Sequence, residues 1–227
     1  GKHYVDQEDI DAVVKTLKSG CLSLGEQTLK FEEKFSKYIG MKYATAVSNG
    51  TSGLHMAVRA LGINEGDEII TTPFSFIASV NCLLYERVKP VFVDIHEKTL
   101  NIDPDQIGKV ISEKTKAILV VDTFGTPSDS NRINALSKKH NLRVIGDCCE
   151  SLGSSYENKM TGSFYDISVF GFFPNKQITT GEGGMAVTNS ESLDMMLKSL
   201  RNQGRAISGN RVFHERLGYN YRMTEME

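Results

Sequence analysis

TKAILVVDTFGTPSDSNRINALSKKHNLRVIGD, residues 115–147, runs from one apolar stretch (TKAILVVD, 115–122) through a helix candidate (SDSNRINALSKKH, 128–140) to a second (LRVIGD, 142–147). Strand, helix and strand in that order make the unit from which parallel sheets are built. Upstream the alternation repeats. YATAVS (43–48) leads into TSGLHMAVRAL (51–61), DEIITT (67–72) into SFIASVNCLLYE (75–86), and PVFVDI (90–95) into DPDQIGKVI (103–111). Downstream, the turn-like ENKM (157–160) suggests a hairpin, and two strand-like pieces, ISVFGF (167–172) and GGMAVTN (183–189), bracket a loop rich in Gly, Pro, Asn and Thr. The expected architecture is α/β: three layers, a mostly parallel sheet with helices on both faces.

Before this pattern, Ile10, Val13, Val14 and Leu17 recur at helical spacing up to Gly20, and Leu29, Phe31, Phe35 and Tyr38 precede Gly40. Residues 1–20 therefore read as an N-terminal helical segment and 21–227 as one large domain. The tail YNYRMTEME (219–227) reads as the first turn of a helix with Thr224 as its N-cap. A further C-terminal domain is expected beyond it.

Composition narrows the class. With 26 basic and 28 acidic residues, no general field draws the chain to nucleic acid or an anionic membrane, so any bound anion must be held locally. The longest apolar runs fall far short of the roughly 20 residues of a membrane helix. The opening GKHYVDQEDID is too polar for a signal peptide. Four cysteines (21, 82, 148, 149) form no CxxC pair, which suits a reducing, cytoplasmic setting rather than a disulfide or zinc framework.

Three stretches can carry chemistry. In YATAVSNGTSGLHMAV a strand passes through Ser48, Asn49, Gly50, Thr51, Ser52 and Gly53 into a helix. Free N–H groups and the helix dipole there make an anion site, although a plain capped turn has the same composition. Asp147 ends an apolar run, at the edge of an open α/β sheet where ligands bind, and could pair with a cationic ring nitrogen. Lys176 stands alone in FGFFPNKQITTGEGGMAV, between two strands rather than on a solvated helix face. Neither GxGxxG nor GxxxxGK[ST] occurs, so a nicotinamide dehydrogenase or a P-loop enzyme lacks its fingerprint.

SNGTSGLHMAVRALG, TTPFSFIASVN, PVFVDI, GDCCESLGS, FFPNKQITTGEGGMAVTN and LGYNYRMTE, in this order, resemble the DegT/StrS family of sugar aminotransferases, whose members have the fold-type I architecture of pyridoxal 5′-phosphate (PLP) enzymes. The resemblance implies PLP carried as an aldimine on Lys176, which would also shuttle the substrate proton. It implies that Asp147 pairs with the pyridinium nitrogen and that Glu150 lies where relatives reach the ring hydroxyl. Gly50, Thr51 and Ser52 would cradle the phosphate, and Phe76, or alternatively Phe74, would stack on the ring. Many relatives have a phosphate-binding serine where this chain has Gly171. Asn220 or Arg222 would reach the site of a second copy, making the working unit a homodimer with shared sites.

The implied reaction takes an amino group from an amino acid, glutamate by expectation, and passes it to a nucleotide-linked keto-sugar in amino-sugar or polysaccharide synthesis. A sugar dehydratase on the same scaffold would have histidine in place of Lys176. A non-catalytic binding or regulatory protein of this fold is the other alternative.

Overall fold

Strand β4 (Thr115–Val121) is buried at every position but Lys116. Its alternate side chains serve different layers: Ala117, Leu119 and Val121 pack with one core cluster, Ile118 and Val120 with another. A strand buried on both faces needs helices on both faces. The computed structural model, which describes residues 3–207 and 213–227, supplies them.

In chain order the other elements are α1 (Gln7–Lys18), α2 (Glu26–Ile39), β1 (Tyr43–Val47), α3 (Gly50–Ala60), β2 (Glu68–Thr71), α4 (Ala78–Leu84), β3 (Lys89–Phe92) and α5 (Pro104–Val110). After β4 come α6 (Ser130–His140), β5 (Arg143–Asp147), β6 (Ser155–Tyr156), β7 (Lys159–Met160), β8 (Ile167–Gly171), β9 (Gly184–Thr188) and α7 (Glu191–Arg201). The main sheet is seven-stranded in the order β1-β9-β8-β5-β4-β2-β3. Only β9 runs against the rest, pairing antiparallel with both β1 and β8. Helices α3, α4 and α7 cover one face, with Leu54, Leu83 and Leu197 in its core. On the other face α2 contributes Phe35 and Ile39, and α5 and α6 contribute Ile107 and Ile133. The three-layer, mostly parallel sheet read from the sequence is the observed fold. The expected hairpin is β6–β7, turning through Glu157 and Asn158, both at positive φ.

Three sequence expectations change in detail. Helix α1 forms with a full capping box at Asp6, yet Ile10, Val13, Val14 and Leu17 stand exposed. In α2, Phe35 enters the core while Leu29 and Tyr38 remain on the surface. The expected helix start at Thr224 is a single bridge to Ser23, although Glu227 accepts the Thr224 N–H at 2.6 Å, the reciprocal half of a capping box.

Helix α2 starts at Gly25, which has no capping side chain. Its free donors are met from the other end of the sequence. The Glu225 carboxylate accepts from the N–H of Gly25 (2.7 Å), Gln27 (2.8 Å) and Thr28 (3.2 Å) and from the Thr28 hydroxyl. Burial opposes the charge of Glu225, but these hydrogen bonds outweigh it and hold the carboxyl below its ordinary 4.5. Glu225→Ala should cost about 1–2 kcal/mol in urea unfolding at neutral pH. Because the folded-state pKa is depressed, the gap between parent and variant should be full above the unfolded value and close as pH falls through the folded one. A gap unchanged from neutral pH to pH 3 would count against this account.

Candidate functional site

The parallel strands all present their carboxyl ends at one edge of the sheet, where ligands bind in open α/β folds. A cleft of about 930 Å³ opens there, lined by residues from Asn49–Ser52, Pro73–Phe76, Val121–Phe124, Asp147, Cys149, Glu150, the Lys176 loop and Tyr221.

At one end lies the start of α3. Asn49 caps it: its side chain accepts the Ser52 N–H at 2.8 Å, while the Ser52 hydroxyl stands 3.2 Å from the Asn49 N–H and donates to the Asn49 carbonyl at 2.7 Å. Both polar groups of Ser52 are therefore committed to the cap. The N–H groups of Gly50 and Thr51 and the Thr51 hydroxyl remain available for an anion at the positive end of the helix dipole. Gly50 cannot be replaced by a larger residue without displacement, because a Cβ there would lie 2.8 Å from Cys149 Sγ. Gly171 packs on the same sulfur, so Cys149 fills the space beside the cradle. Burial, with the charge of Asp147, pushes the Cys149 thiol far above its usual range, which suits a filler rather than a nucleophile.

Asp147 ends β5 and is 7% exposed. Its Oδ2 accepts the Ser79 hydroxyl at 2.6 Å and its Oδ1 the Cys149 N–H at 3.2 Å. Ser79, near the start of α4, is itself 2.6 Å from the Ser75 hydroxyl. The carboxylate is thus held from two sides with lone pairs to spare. Phe76 and Phe74 both line the cleft, Phe76 being 76% exposed and Phe74 packing edge-on to Phe124 with centroids 6.0 Å apart.

Lys176 sits in a loop folded on itself between β8 and β9. Phe172 N–H donates to Gly183 (2.9 Å), Thr180 N–H to Phe172 (3.1 Å) and Lys176 N–H to Phe173 (2.9 Å). Gln177 ties the loop to the Glu150 carbonyl at 2.5 Å. At the loop's end Gly184 approaches the α3 cap so closely that a Cβ would meet the Asn49 carbonyl carbon at 2.7 Å. The Lys176 ammonium, with its side chain 19% exposed, lies 3.5 Å from Glu150 Oε1, and Glu150 Oε2 accepts the Phe124 N–H at 3.0 Å. Glu150 therefore bridges the lysine side chain and the Phe124 backbone.

The structure brings Gly50, Thr51, Ser52, Phe76, Asp147, Glu150 and Lys176 to one cleft. Asn220 is exposed and does not line it; its backbone bridges to Asn202, to whose side chain Arg222 donates at 3.0 Å. Sequence reasoning missed Thr123, whose buried hydroxyl has no partner in the described structure, and Tyr221. It also missed Asp122 beneath the cleft. That carboxyl takes the Ser128 N–H at 2.9 Å and the Ser151 hydroxyl at 3.1 Å, and burial raises it above the usual range. Nothing in their local sequence marks Thr123 or Tyr221, whereas Asp122 closes the apolar run of β4 as Asp147 closes that of β5, a signal that could have found it.

The sequence profile of the DegT/DnrJ/EryC1/StrS aminotransferase family matches residues 3–227. GDP-perosamine synthase of Escherichia coli O157:H7 is 47% identical over 204 residues, covering 90% of this chain and 56% of that protein. The X-ray structure of an aminotransferase from Psychrobacter cryohalolentis superposes with a TM-score of 0.96 at 39% identity, covering 100% of this chain and 60% of the other. NtdA from Bacillus subtilis, with bound cofactor PMP, superposes with a TM-score of 0.91 at 30% identity, covering 98% of this chain and 51% of the other. The chain thus spans between half and three-fifths of the length of these relatives.

Proposed function

This chain belongs to the DegT/DnrJ/EryC1/StrS aminotransferase family, and on that premise we propose that it is the cofactor-binding part of a PLP-dependent aminotransferase acting on a nucleotide-linked keto-sugar, with glutamate as amino donor. The observation that carries the reading is the meeting of a lysine, a buried carboxylate and a helix N-terminus in one cleft.

The residues suit the cofactor. Gly50 lets the start of α3 pack closely on Cys149 and Gly171, the N–H groups of Gly50 and Thr51 are at the α3 terminus, and Asp147 keeps a buried, oriented carboxylate. When bound, PLP supplies an aldehyde that takes up amines and a ring that draws electron density from the substrate's α-carbon. Gly50 and Thr51 would hold the phosphate. Asp147, its orientation fixed by Ser79, would keep a proton on the ring nitrogen. Lys176 would hold the cofactor covalently at rest, then take the proton from the α-carbon of the donor and return one to the acceptor. Glu150 would pair with the lysine while it is an ammonium and leave it free once neutral. Phe74 and Phe76, both lining the cleft, would offer flat apolar surface to the ring.

The names of relatives such as GDP-perosamine synthase support the nucleotide-linked substrate. We take the working unit to be a homodimer; that Asn220 is exposed and outside its own cleft accords with a role in the second copy's site. Among the described residues no helix is long and apolar enough to cross a membrane, and the four cysteines are free, which accords with a cytoplasmic enzyme.

The test is a visible spectrum of the purified protein with PLP, before and after glutamate. A band that forms with PLP and is discharged by glutamate, with release of 2-oxoglutarate, is expected. If no band forms, the enzyme reading falls.

A further inference from the structure

Helices α3 and α4 pack against each other, and each supports a different group of the cleft. α3 presents the N–H groups of Gly50 and Thr51, and α4 presents Ser79 to Asp147. Between them lie apolar side chains, Leu54 from α3 with Cys82 and Leu83 from α4. Apolar contacts alone allow packed helices to slide. What fixes one helix against the other lies outside the cleft.

His55 of α3 is 4% exposed, and its Nε2 lies 2.6 Å from Glu86 Oε1, just past the end of α4. The other Glu86 oxygen accepts from Arg59 of α3 at 3.0 Å, and the Tyr219 hydroxyl donates to Oε1 at 2.9 Å. The His55 ring is also packed by Tyr85, Tyr219 and Tyr221, and its Nδ1 lies 3.0 Å from the Tyr221 hydroxyl. Burial opposes the charge on Glu86, but the hydrogen bonds from His55 and Tyr219 and the Arg59 charge hold its carboxyl below the ordinary range. None of these groups takes part in the steps above. A directional pair of this kind selects one register of two helices where apolar packing permits several.

Resting on the cofactor reading above, we propose that His55 and Glu86 are positioning residues for the cofactor: they set the spacing between the anion cradle on α3 and the Ser79-supported Asp147, so that one ligand engages both at once. A ligand gripped at two points gains only when the points are held at its own length. The pair therefore governs how much the phosphate adds to binding, not binding as such.

PLP and pyridoxal, which lacks the phosphate, make the test. Dissociation constants of both are measured by absorbance titration for the parent, Glu86→Gln and the double variant His55→Phe/Glu86→Leu, which puts apolar side chains of similar size in place of the pair. The ratio of the pyridoxal constant to the PLP constant should fall about tenfold in both variants, chiefly through weaker PLP binding. A merely structural defect weakens both ligands alike and leaves the ratio fixed. Tyr219→Phe, which removes one donor but keeps the bond between the helices, should hold the ratio within about twofold of the parent. If the ratio stays at the parent's value in the double variant, the proposal is overturned, whatever Glu86→Gln does to folding. If the parent itself binds neither compound, the cofactor reading fails first, so the two failures are distinguishable.

Discussion

Lys176→Ala should lower amino-transfer turnover by about 1,000-fold or more, because one side chain supplies both the covalent hold on the cofactor and the base that moves the α-proton, and proton transfer alone contributes about 10²- to 10⁴-fold. The surrounding loop gives no reason for collapse. Its folding rests on backbone bonds from Phe172, Lys176 and Thr180, which alanine preserves. The cradle and Asp147 stay in place, so the variant should still take up PLP, without the band and without discharge by glutamate. Lys176→Arg separates two roles: it keeps a cation for Glu150 but, at its high pKa, offers neither nucleophile nor base. Both variants should be comparably inactive. A Lys176→Ala protein with turnover within tenfold of the parent would remove Lys176 from the mechanism.

Asp147→Asn is the second large effect. The amide keeps the size of the side chain, with its oxygen for the Cys149 N–H and its NH2 against the Ser79 hydroxyl, which can also accept, so the fold is preserved while the negative charge is removed. Without it nothing holds a proton on the ring nitrogen, and the α-carbon's electron pair has a poorer sink. Fixed charges in a site shielded from water are worth about 10²- to 10³-fold in rate. We expect a loss of that size in the glutamate half-reaction, measured as discharge of the band by stopped flow, with PLP affinity changed far less. Equal losses in affinity and rate would show that Asp147 serves binding alone.

How far the sequence could be read depended on the range of the interactions. β4, β5 and α6 are legible because a strand buried on both faces is apolar along its length, and α6 carries local stop signals. The direction of β9 is not legible: GGMAVTN looks the same in either orientation, and its pairing with β8 and with β1, the latter more than a hundred residues upstream, decides it. The same holds at the site. Asp147 and Lys176 stand out because their neighbours in sequence are unusual for those residue types. Glu86 on His55 and Glu225 on the start of α2 join residues far apart in the chain, and no short window contains both partners. Ser52 shows the converse. Its sequence context suited an anion ligand, but the same hydroxyl suits the cap, and the cap takes it.

The position of β1 at the end of the sheet bears on how the polypeptide is made. Among the described residues its only strand neighbour is β9, with Tyr43 opposite Thr188 and Val47 opposite Gly184. On the ribosome, β1 emerges before β2 through β8 and waits for all of them before that neighbour exists. Until then β1 and the apolar side of α3, including Val47, Leu54 and Val58, lack the residues from β8, β9 and α7 that complete their core. The segment that would hold the phosphate is thus synthesised well before the strands and helix that enclose it, and the nascent chain carries a sticky, unfinished surface until β9 and α7 emerge.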